Sequence, residues 1–314
     1  VGAGAANQID LDAIAGTASG TASNLTINTT GAVTVAEALG TDFGTVTITN
    51  SGGTTFSSTL EAATVTITDT TDSQDVTFTG NLTIGTGMSS ANQGSDNYNV
   101  VLNGASNSIA GTTTFAHGGS LTLGDGADTT DFAGGLVATA PGSISAQGIV
   151  KADGGTGVLT LGDTDTGLAV SGDLTVGGTS TGTIDLGDAT LVDGATLTVG
   201  AGAANQINLD AIAGTAGGTA SNLTINTTGV VTVTEAVSTD IANVTVTQSG
   251  GTTFEAVDTT TDVVLTNTTG TIAFNGLLNT PTLTTASQGY GVSLKGGSTI
   301  TNAVTFSNTG TTQI

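Results

Sequence analysis

The chain has 314 residues, of which 25 are acidic and 2 are basic, and its formal net charge is −23. Recognition of nucleic-acid backbones or anionic lipids needs clustered Lys and Arg, so this charge excludes nucleic acid as a partner and excludes attraction to an anionic membrane surface. Because the chain has no cysteine, it has neither disulfides nor thiolate metal sites.

The remaining composition favours a folded chain made mostly of strands. Only 3% of the residues are aromatic and 9% are charged, while Gly occurs 49 times and Pro twice. Disordered segments are poor in β-branched residues, whereas this chain is rich in Val, Ile and Thr and has a mean hydropathy of +0.25. No run approaches 18 apolar residues, so we expect no direct membrane insertion.

A long internal repeat organises the chain. Residues 1–56 return at 199–254, and the two copies differ at only 11 positions (10, 19, 32, 36, 39, 40, 43, 44, 45, 48 and 50 of the first). A weaker likeness continues beyond them, since DVTFTGNL (75–82) corresponds to TIAFNGLL (271–278). The repeat predicts a first unit over 1–198 and a second, incomplete copy over 199–314 that continues the same solenoid. A catalytic site does not need its surroundings duplicated, so the repeat favours a structural role.

In chain order, the dominant element is a strand of four to six residues in which Thr or Asn alternates with Val, Ile or Leu. Helical periodicity is nearly absent, and the best helix candidates are the short segments 10–15 and 35–39 with their copies at 208–213 and 233–237. The predicted strands are NLTIN (24–28), TVTIT (45–49), TVTIT (64–68), NLTIG (81–85), NVVLN (99–103), SLTLG (120–124), VLTLG (158–162), DLTVG (173–177), TLTVG (196–200), NLTIN (222–226), VTVT (244–247) and VVLT (263–266).

Two all-β architectures compete for this pattern. A β-sandwich array would need hairpin turns and a buried aromatic in each domain, but Trp is absent and the 198-residue unit does not divide into two similar halves. A parallel β-helix accounts for more of the sequence, because its inward positions take Val, Ile and Leu and its outward positions take Thr, Ser and Asn. We therefore predict an all-β, right-handed parallel β-helix (β-solenoid) of roughly 20-residue coils with no substantial helix. The right-handed sense is predicted because crossover connections between parallel strands are nearly always right-handed.

At this point the sequence resembles a known class. The repeats GNLTIGTG, GGSLTLGDG, GDLTVGGTSTGTIDLGD and GATLTVGAG are similar to those of giant bacterial surface proteins, which include filamentous-haemagglutinin-like adhesins, autotransporter passengers and β-strand-repeat proteins. The resemblance covers nearly the whole chain but is compositional. It implies a right-handed parallel β-helix, an extracellular or cell-surface location in bacteria, and adhesive or filament-forming work. Phage tail fibres carry similar DLTVGGT-type repeats.

Clustered carboxylates are the main chemical signal. Carboxylates in Gly-rich turns can supply the oxygen ligands that Ca²⁺ prefers, which makes Ca²⁺ a candidate cofactor. However, the calcium-binding nonapeptide of β-helix proteins is missing, so the alternative is that Asp forms turns and adds solubilising charge. The candidate metal ligands form three groups: Asp69, Asp72 and Asp75; Asp125, Asp128 and Asp131; and Asp163 and Asp165. A fourth, smaller group is Asp10 with Asp12.

Other residue types argue against an enzyme. His117 is the single histidine, which excludes a His-based metal site or a Ser-His-Asp triad, and we expect it in a surface loop. Polysaccharide-cleaving β-helices use paired carboxylates with aromatics lining a sugar groove, whereas this chain has no Arg, no Trp and only two Tyr. The Phe residues are expected in the core, where Phe56 and Phe254 occupy equivalent positions, as do Phe78 and Phe274. Asn-x-Thr sequons are attributed to composition.

The sequence thus predicts a non-enzymatic structural or adhesive extracellular repeat protein that forms a long surface fibre, filament or coat. The alternative is a carbohydrate-binding or carbohydrate-cleaving β-helix such as a phage tailspike. Expected partners are further copies stacked end to end, or the continuation of a longer chain, together with surface glycans or other cells. Any export signal is expected outside the visible chain.

Overall fold

A computed structural model describes residues 1–91 and 97–314. The chain is an all-β parallel β-solenoid in which successive coils lie about 22 residues apart, and no helix occurs among the described residues. This confirms the predicted all-β parallel β-solenoid without substantial helix. The chain divides into two compact units, Val1–Asp153 and Gly154–Ile314, which together contain about 14 turns.

The first unit contains fifteen strands in its described part. Most are three or four residues long, as expected where Gly, Asn and Asp turn the chain at each corner. They are β1 (Ile9–Leu11), β2 (Ser23–Asn28), β3 (Val33–Val35), β4 (Phe43–Asn50), β5 (Thr54–Phe56), β6 (Leu60–Ile67), β7 (Asp75–Phe78), β8 (Leu82–Ser90), β9 (Asn99–Leu102), β10 (Ser106–Ile109), β11 (Thr113–Phe115), β12 (Ser120–Leu123), β13 (Thr129–Phe132), β14 (Leu136–Ala138) and β15 (Ser143–Lys151).

The second unit contains eighteen strands of the same kind. They are β16 (Leu159–Leu161), β17 (Leu168–Gly177), β18 (Ile184–Leu186), β19 (Ala189–Leu191), β20 (Thr196–Val199), β21 (Ile207–Leu209), β22 (Ile212–Gly214), β23 (Ser221–Asn226), β24 (Val231–Ser238), β25 (Ile241–Ser249), β26 (Thr252–Asp258), β27 (Asp262–Thr268), β28 (Thr271–Phe274), β29 (Leu278–Thr280), β30 (Thr282–Thr285), β31 (Gly291–Leu294), β32 (Ser298–Ile300) and β33 (Thr312–Gln313).

Strands of successive coils pair in parallel and form ladders within each unit. In the first unit one ladder runs through β1, β3, β5, β7, β9 and β12, and another runs through β2, β4, β6 and β8. In the second unit, β20, β23, β25, β27 and β30 form a comparable ladder. Parallel pairing between coils is the feature that separates this fold from a hairpin-based sandwich.

Alternation of side chains across each strand explains the core. Val46 and Ile48 of β4 point inward and are fully buried, whereas Thr47 between them is half-buried on the outer surface. The same alternation recurs in β23, where Leu223 and Ile225 are fully buried. Each coil therefore adds a layer of β-branched and aliphatic side chains to the interior of its unit.

Stacked aromatic rings form part of this interior, as the sequence predicted. Phe56 lies over Phe78 with ring centroids 5.0 Å apart and planes 1° from parallel. In the second copy, Phe254 lies over Phe274 at 5.2 Å and 11°. All four rings are buried.

The predicted short helices are wrong. Segment 10–15 contains the end of β1 and an isolated bridge at Ile14, and segment 35–39 contains the end of β3 and a bridge at Leu39. The copy at 208–213 contains the end of β21 and the start of β22, and the copy at 233–237 lies within β24. Intrinsic helix propensities differ between residues by only about a few tenths of a kcal/mol. Strand pairing between coils and burial of the apolar face outweigh a preference of this size.

The repeat boundary predicted between residues 198 and 199 lies inside the second unit. There Val199 ends β20 and pairs with Val176 of β17 and with Ile225 of β23, so strand pairing runs on through this position. The division into compact units follows Asp153 instead.

Candidate functional site

The first predicted acidic group, Asp69, Asp72 and Asp75, makes hydrogen bonds to the neighbouring coil. Asp72 Oδ1 accepts a hydrogen bond of 2.8 Å from the backbone N–H of Asn97. Asp75 Oδ1 accepts one of 2.8 Å from the Asn99 side-chain amide, in the coil that pairs with its own. At Asp69, the backbone carbonyl accepts a bond from the Thr70 hydroxyl. Two carboxylates of this group therefore bond to the next coil.

The second group, Asp125, Asp128 and Asp131, lies around β13 and the end of β15. Asp128 Oδ2 accepts a bond of 2.9 Å from the backbone N–H of Asp125, and a side-chain hydrogen bond with Asp128 raises the pKa of the Asp125 carboxyl. Asp131 Oδ1 accepts a bond of 3.0 Å from the backbone N–H of Asp153. Lys151 forms an ion pair with Asp153, which raises the pKa of the lysine. Turn closure and one charge pair therefore account for these contacts.

The third group forms a compact turn after β16. Asp163 Oδ1 accepts bonds of 2.9 Å from the backbone N–H groups of both Asp165 and Thr166, and the Asp163 N–H donates to the Thr166 carbonyl at 3.0 Å. One carboxylate oxygen thus satisfies two backbone donors, which is the usual role of Asp in a turn.

Taken together, the predicted metal ligands do not gather. Among residues 1–91 and 97–314, no group of three or more His, Asp or Glu side chains is arranged to hold a metal ion. Two further acidic residues, which the sequence did not single out, bond between coils in the same way as Asp75. Asp185 accepts from the Asn208 amide at 2.6 Å, and Asp258 accepts from the Asn279 amide at 2.8 Å. The signal was an Asp and an Asn about one coil apart on matching strands.

The expectation for His117 is wrong, because this residue is completely buried. Its ring stacks on Tyr98 with centroids 5.2 Å apart and meets the edge of Phe115 at 6.0 Å. Nδ1 lies 2.7 Å from the Ser90 hydroxyl, and Nε2 lies 3.1 Å from the Ser120 carbonyl oxygen. Burial lowers the pKa of His117, and the bond to Ser120 opposes this shift. The single histidine is an interior residue.

A shallow cavity of about 300 Å³ lies on the first unit and holds two carboxylates. Asp42 and Glu61 line it together with Phe43 and small or polar residues. Asp42 has a backbone φ of 73°, and its Oδ2 is buried without a hydrogen-bond partner. Its counterpart in the second copy, Asp240, shares both features, with φ of 58°. Positive φ at a non-glycine residue is a strained conformation.

In the described part of the chain, almost all aromatic side chains are buried. Phe306 is half-buried, and the other seven phenylalanines and both tyrosines are buried. Burial raises the pKa of Tyr290, and the backbone N–H of Ala286 donates to its hydroxyl. No described helix has the length and apolar character required to cross a membrane.

No protein-family model matches the chain, and neither the curated proteins nor the solved structures contain a significant match.

Proposed function

We propose that this protein is a structural or adhesive module of an extracellular bacterial surface protein, of the kind found in filamentous-haemagglutinin-like adhesins and autotransporter passengers, and that it forms part of a long fibre, filament or coat. One observation carries the proposal. Acidic side chains accept hydrogen bonds from the neighbouring coil, and phenylalanine rings of paired strands stack in the interior.

The acidic residues illustrate this use. Asp75, Asp185 and Asp258 each bond to an Asn amide of the neighbouring coil, and Asp163 closes a turn. Such contacts satisfy outward polar groups and define which residues of adjacent coils face each other. A chain whose repeated sequence specifies coil stacking suits a protein that has to be long.

Its strongly acidic composition supports the same proposal. A net charge of −23 keeps like-charged neighbours apart in water and resists non-specific lateral association. In a fibre, this charge permits growth along the coil axis, where backbone pairing operates, and disfavours bundling. Divalent cations would reduce the repulsion by screening.

Electron microscopy of material from the native source tests the proposal. Antibody raised against the purified chain should label extended fibres or a continuous layer outside the cell. The purified protein should also bind host cells or glycan-coated surfaces if the module is adhesive. Label confined to the cell interior, or compact particles that stay monomeric at high concentration from a chain shown to be full length, would overturn the proposal.

The cavity beside Asp42 and Glu61 favours a second candidate, a carbohydrate-binding or carbohydrate-cleaving β-helix. Two carboxylates at an open cavity are the minimum that glycoside hydrolysis requires. Incubation with a panel of acidic and neutral polysaccharides, comparing the parent chain with Glu61→Gln, tests this directly. Binding or cleavage that disappears in Glu61→Gln would favour the second candidate. Absence of both activities in the parent chain would remove it, and equal activity of the two proteins would remove this cavity as the site.

A further inference from the structure

His117 has a complete set of hydrogen bonds only when its imidazole is neutral. The Ser120 carbonyl oxygen can only accept, so Nε2 carries the ring proton and donates to it at 3.1 Å. Nδ1 is then an acceptor, and the Ser90 hydroxyl donates to it at 2.7 Å. The same Ser90 oxygen accepts from the backbone N–H of Ala116 at 3.1 Å. Neutral imidazole thus leaves no partner of this group unsatisfied.

Protonation disrupts this arrangement at a buried position. A proton on Nδ1 turns that atom into a donor, so the Ser90 hydroxyl has to rotate and lose the acceptor for its own hydrogen. The positive charge would lie against the rings of Tyr98 and Phe115, away from water. Burying a charge without a carboxylate partner strongly disfavours the charged form.

Titratable neighbours do not compensate the charge within the described part of the chain. β8, β9, β11 and β12, which surround the ring, contain no acidic or basic residue. Tyr98, whose ring stacks on that of His117, donates its hydroxyl to the Ala91 carbonyl at 2.6 Å. β15 pairs with β12 at its Ser143 end and carries Lys151, also a cation, at the opposite end.

The second copy provides a natural comparison. Phe115-Ala116-His117-Gly118-Gly119 corresponds to Phe306-Ser307-Asn308-Thr309-Gly310, and both segments follow a buried tyrosine. A Cβ on Gly119 or on Gly310 would meet the carbonyl oxygen of that tyrosine, Tyr98 or Tyr290, in the same way. Asn308 donates its side-chain amide to the Tyr290 carbonyl at 3.1 Å. Asparagine does not titrate, so the second unit has no ionisable side chain at the position that corresponds to His117.

We propose that His117 is an acid-sensitive lock: protonation of its imidazole opens the coil of the first unit that Ser90, Tyr98 and His117 close, while the corresponding coil of the second unit, with Asn308, stays closed.

The pH window follows from the direction of the pKa shift. The folded state favours the neutral ring and has the lower pKa, so the stabilisation is fully present above the ordinary value of 6.5. The stabilisation is lost as the pH falls below 6.5 and towards the folded-state pKa. Over this interval the equilibrium constant for opening rises by at most about tenfold per pH unit.

Amide hydrogen exchange, corrected for the intrinsic effect of pH, tests the lock between about pH 7.5 and pH 5, a range that brackets the ordinary histidine pKa. Peptides from β8 to β12 should lose protection on acidification, whereas peptides from β28 to β31 should not. His117→Asn, which copies the second unit, should abolish the acid response. Proton NMR of the single imidazole gives an independent readout if that variant does not fold.

The outcomes separate cleanly. Protection that falls in the first segment alone, with an imidazole that titrates below 6.5, supports the lock. Equal acid sensitivity of both segments would overturn it, as would an imidazole that titrates at its ordinary value in the folded protein.

Discussion

Removing one ring of the stacked pair in the first unit should destabilise that unit severely. Phe56 and Phe78 are buried at 1% and 0% exposure, with rings 5.0 Å apart and nearly parallel. Truncation of a buried Phe to Ala typically costs about 3–5 kcal/mol, a large share of the roughly 5–15 kcal/mol that stabilises a domain. Because coils contact their nearest neighbours, the loss should be concentrated around β5 and β7.

Urea unfolding followed by circular dichroism, together with amide exchange, measures this effect. Phe56→Ala should lower the unfolding free energy of the first unit by about 3–5 kcal/mol, and a Phe56/Phe78 double-mutant cycle should give a coupling of about 0.5–1.5 kcal/mol. Phe254→Ala is the matched variant of the second unit, and Val230→Ala, at a side chain that is 57% exposed, is the control. A Phe56→Ala cost as small as that of Val230→Ala would refute the stacked core.

Three further predictions concern corners, turns and cations. A Cβ on Gly111 would lie 1.3 Å from the Thr86 carbonyl oxygen, so Gly111→Ala should lower the melting temperature by several degrees. Gly289→Ala is the control and should leave the melting temperature unchanged, because a Cβ there meets nothing within 4 Å. Equal effects of the two substitutions would contradict the close contact between coils at Gly111. Asp163→Ala removes the acceptor of two backbone donors and should cost about 0.5–2 kcal/mol in urea unfolding, by analogy with caps, whereas no cost would show that the turn closes without it. Calcium binding by the Asp clusters remains a prediction of the sequence. If the clusters bind the ion, calorimetry should show saturable heat and Ca²⁺ should raise the melting temperature more than Mg²⁺ does at equal ionic strength. No response to Ca²⁺ would leave the clusters as turns.

The faces of the coil could be predicted from the sequence because alternation has a period of two. In TVTIT, Val46 and Ile48 must share a face, and the many Gly, Asn and Asp residues between strands mark corners. The same period places His117 inside, because it lies two residues after Phe115 and four after Thr113, and both of these residues are buried. The expectation of a surface loop for His117 left this two-residue spacing out.

Contacts between coils could not be predicted in the same way. Partner residues are separated by 24 positions for Asp75 and Asn99, by 23 for Asp185 and Asn208, and by 21 for Asp258 and Asn279. Corners of variable length set these separations, and a bulge shifts the register in pairs such as β6 with β8. Which side chains meet across coils is therefore a property of the stacked structure.

The parallel register between coils is the claim on which the whole account depends, and engineered disulfides test it most directly because the chain has no cysteine of its own. Thr47 and Thr66 are register partners on the outer surface of β4 and β6. Neighbouring strands lie about 4.8 Å apart, which is within the range that a disulfide spans. Thr47→Cys with Thr66→Cys should oxidise readily and reversibly without loss of stability, while Thr47→Cys with Thr64→Cys, displaced by two residues, should not. Equal oxidation of both pairs, or preferential oxidation of the displaced pair, would contradict the in-register parallel solenoid.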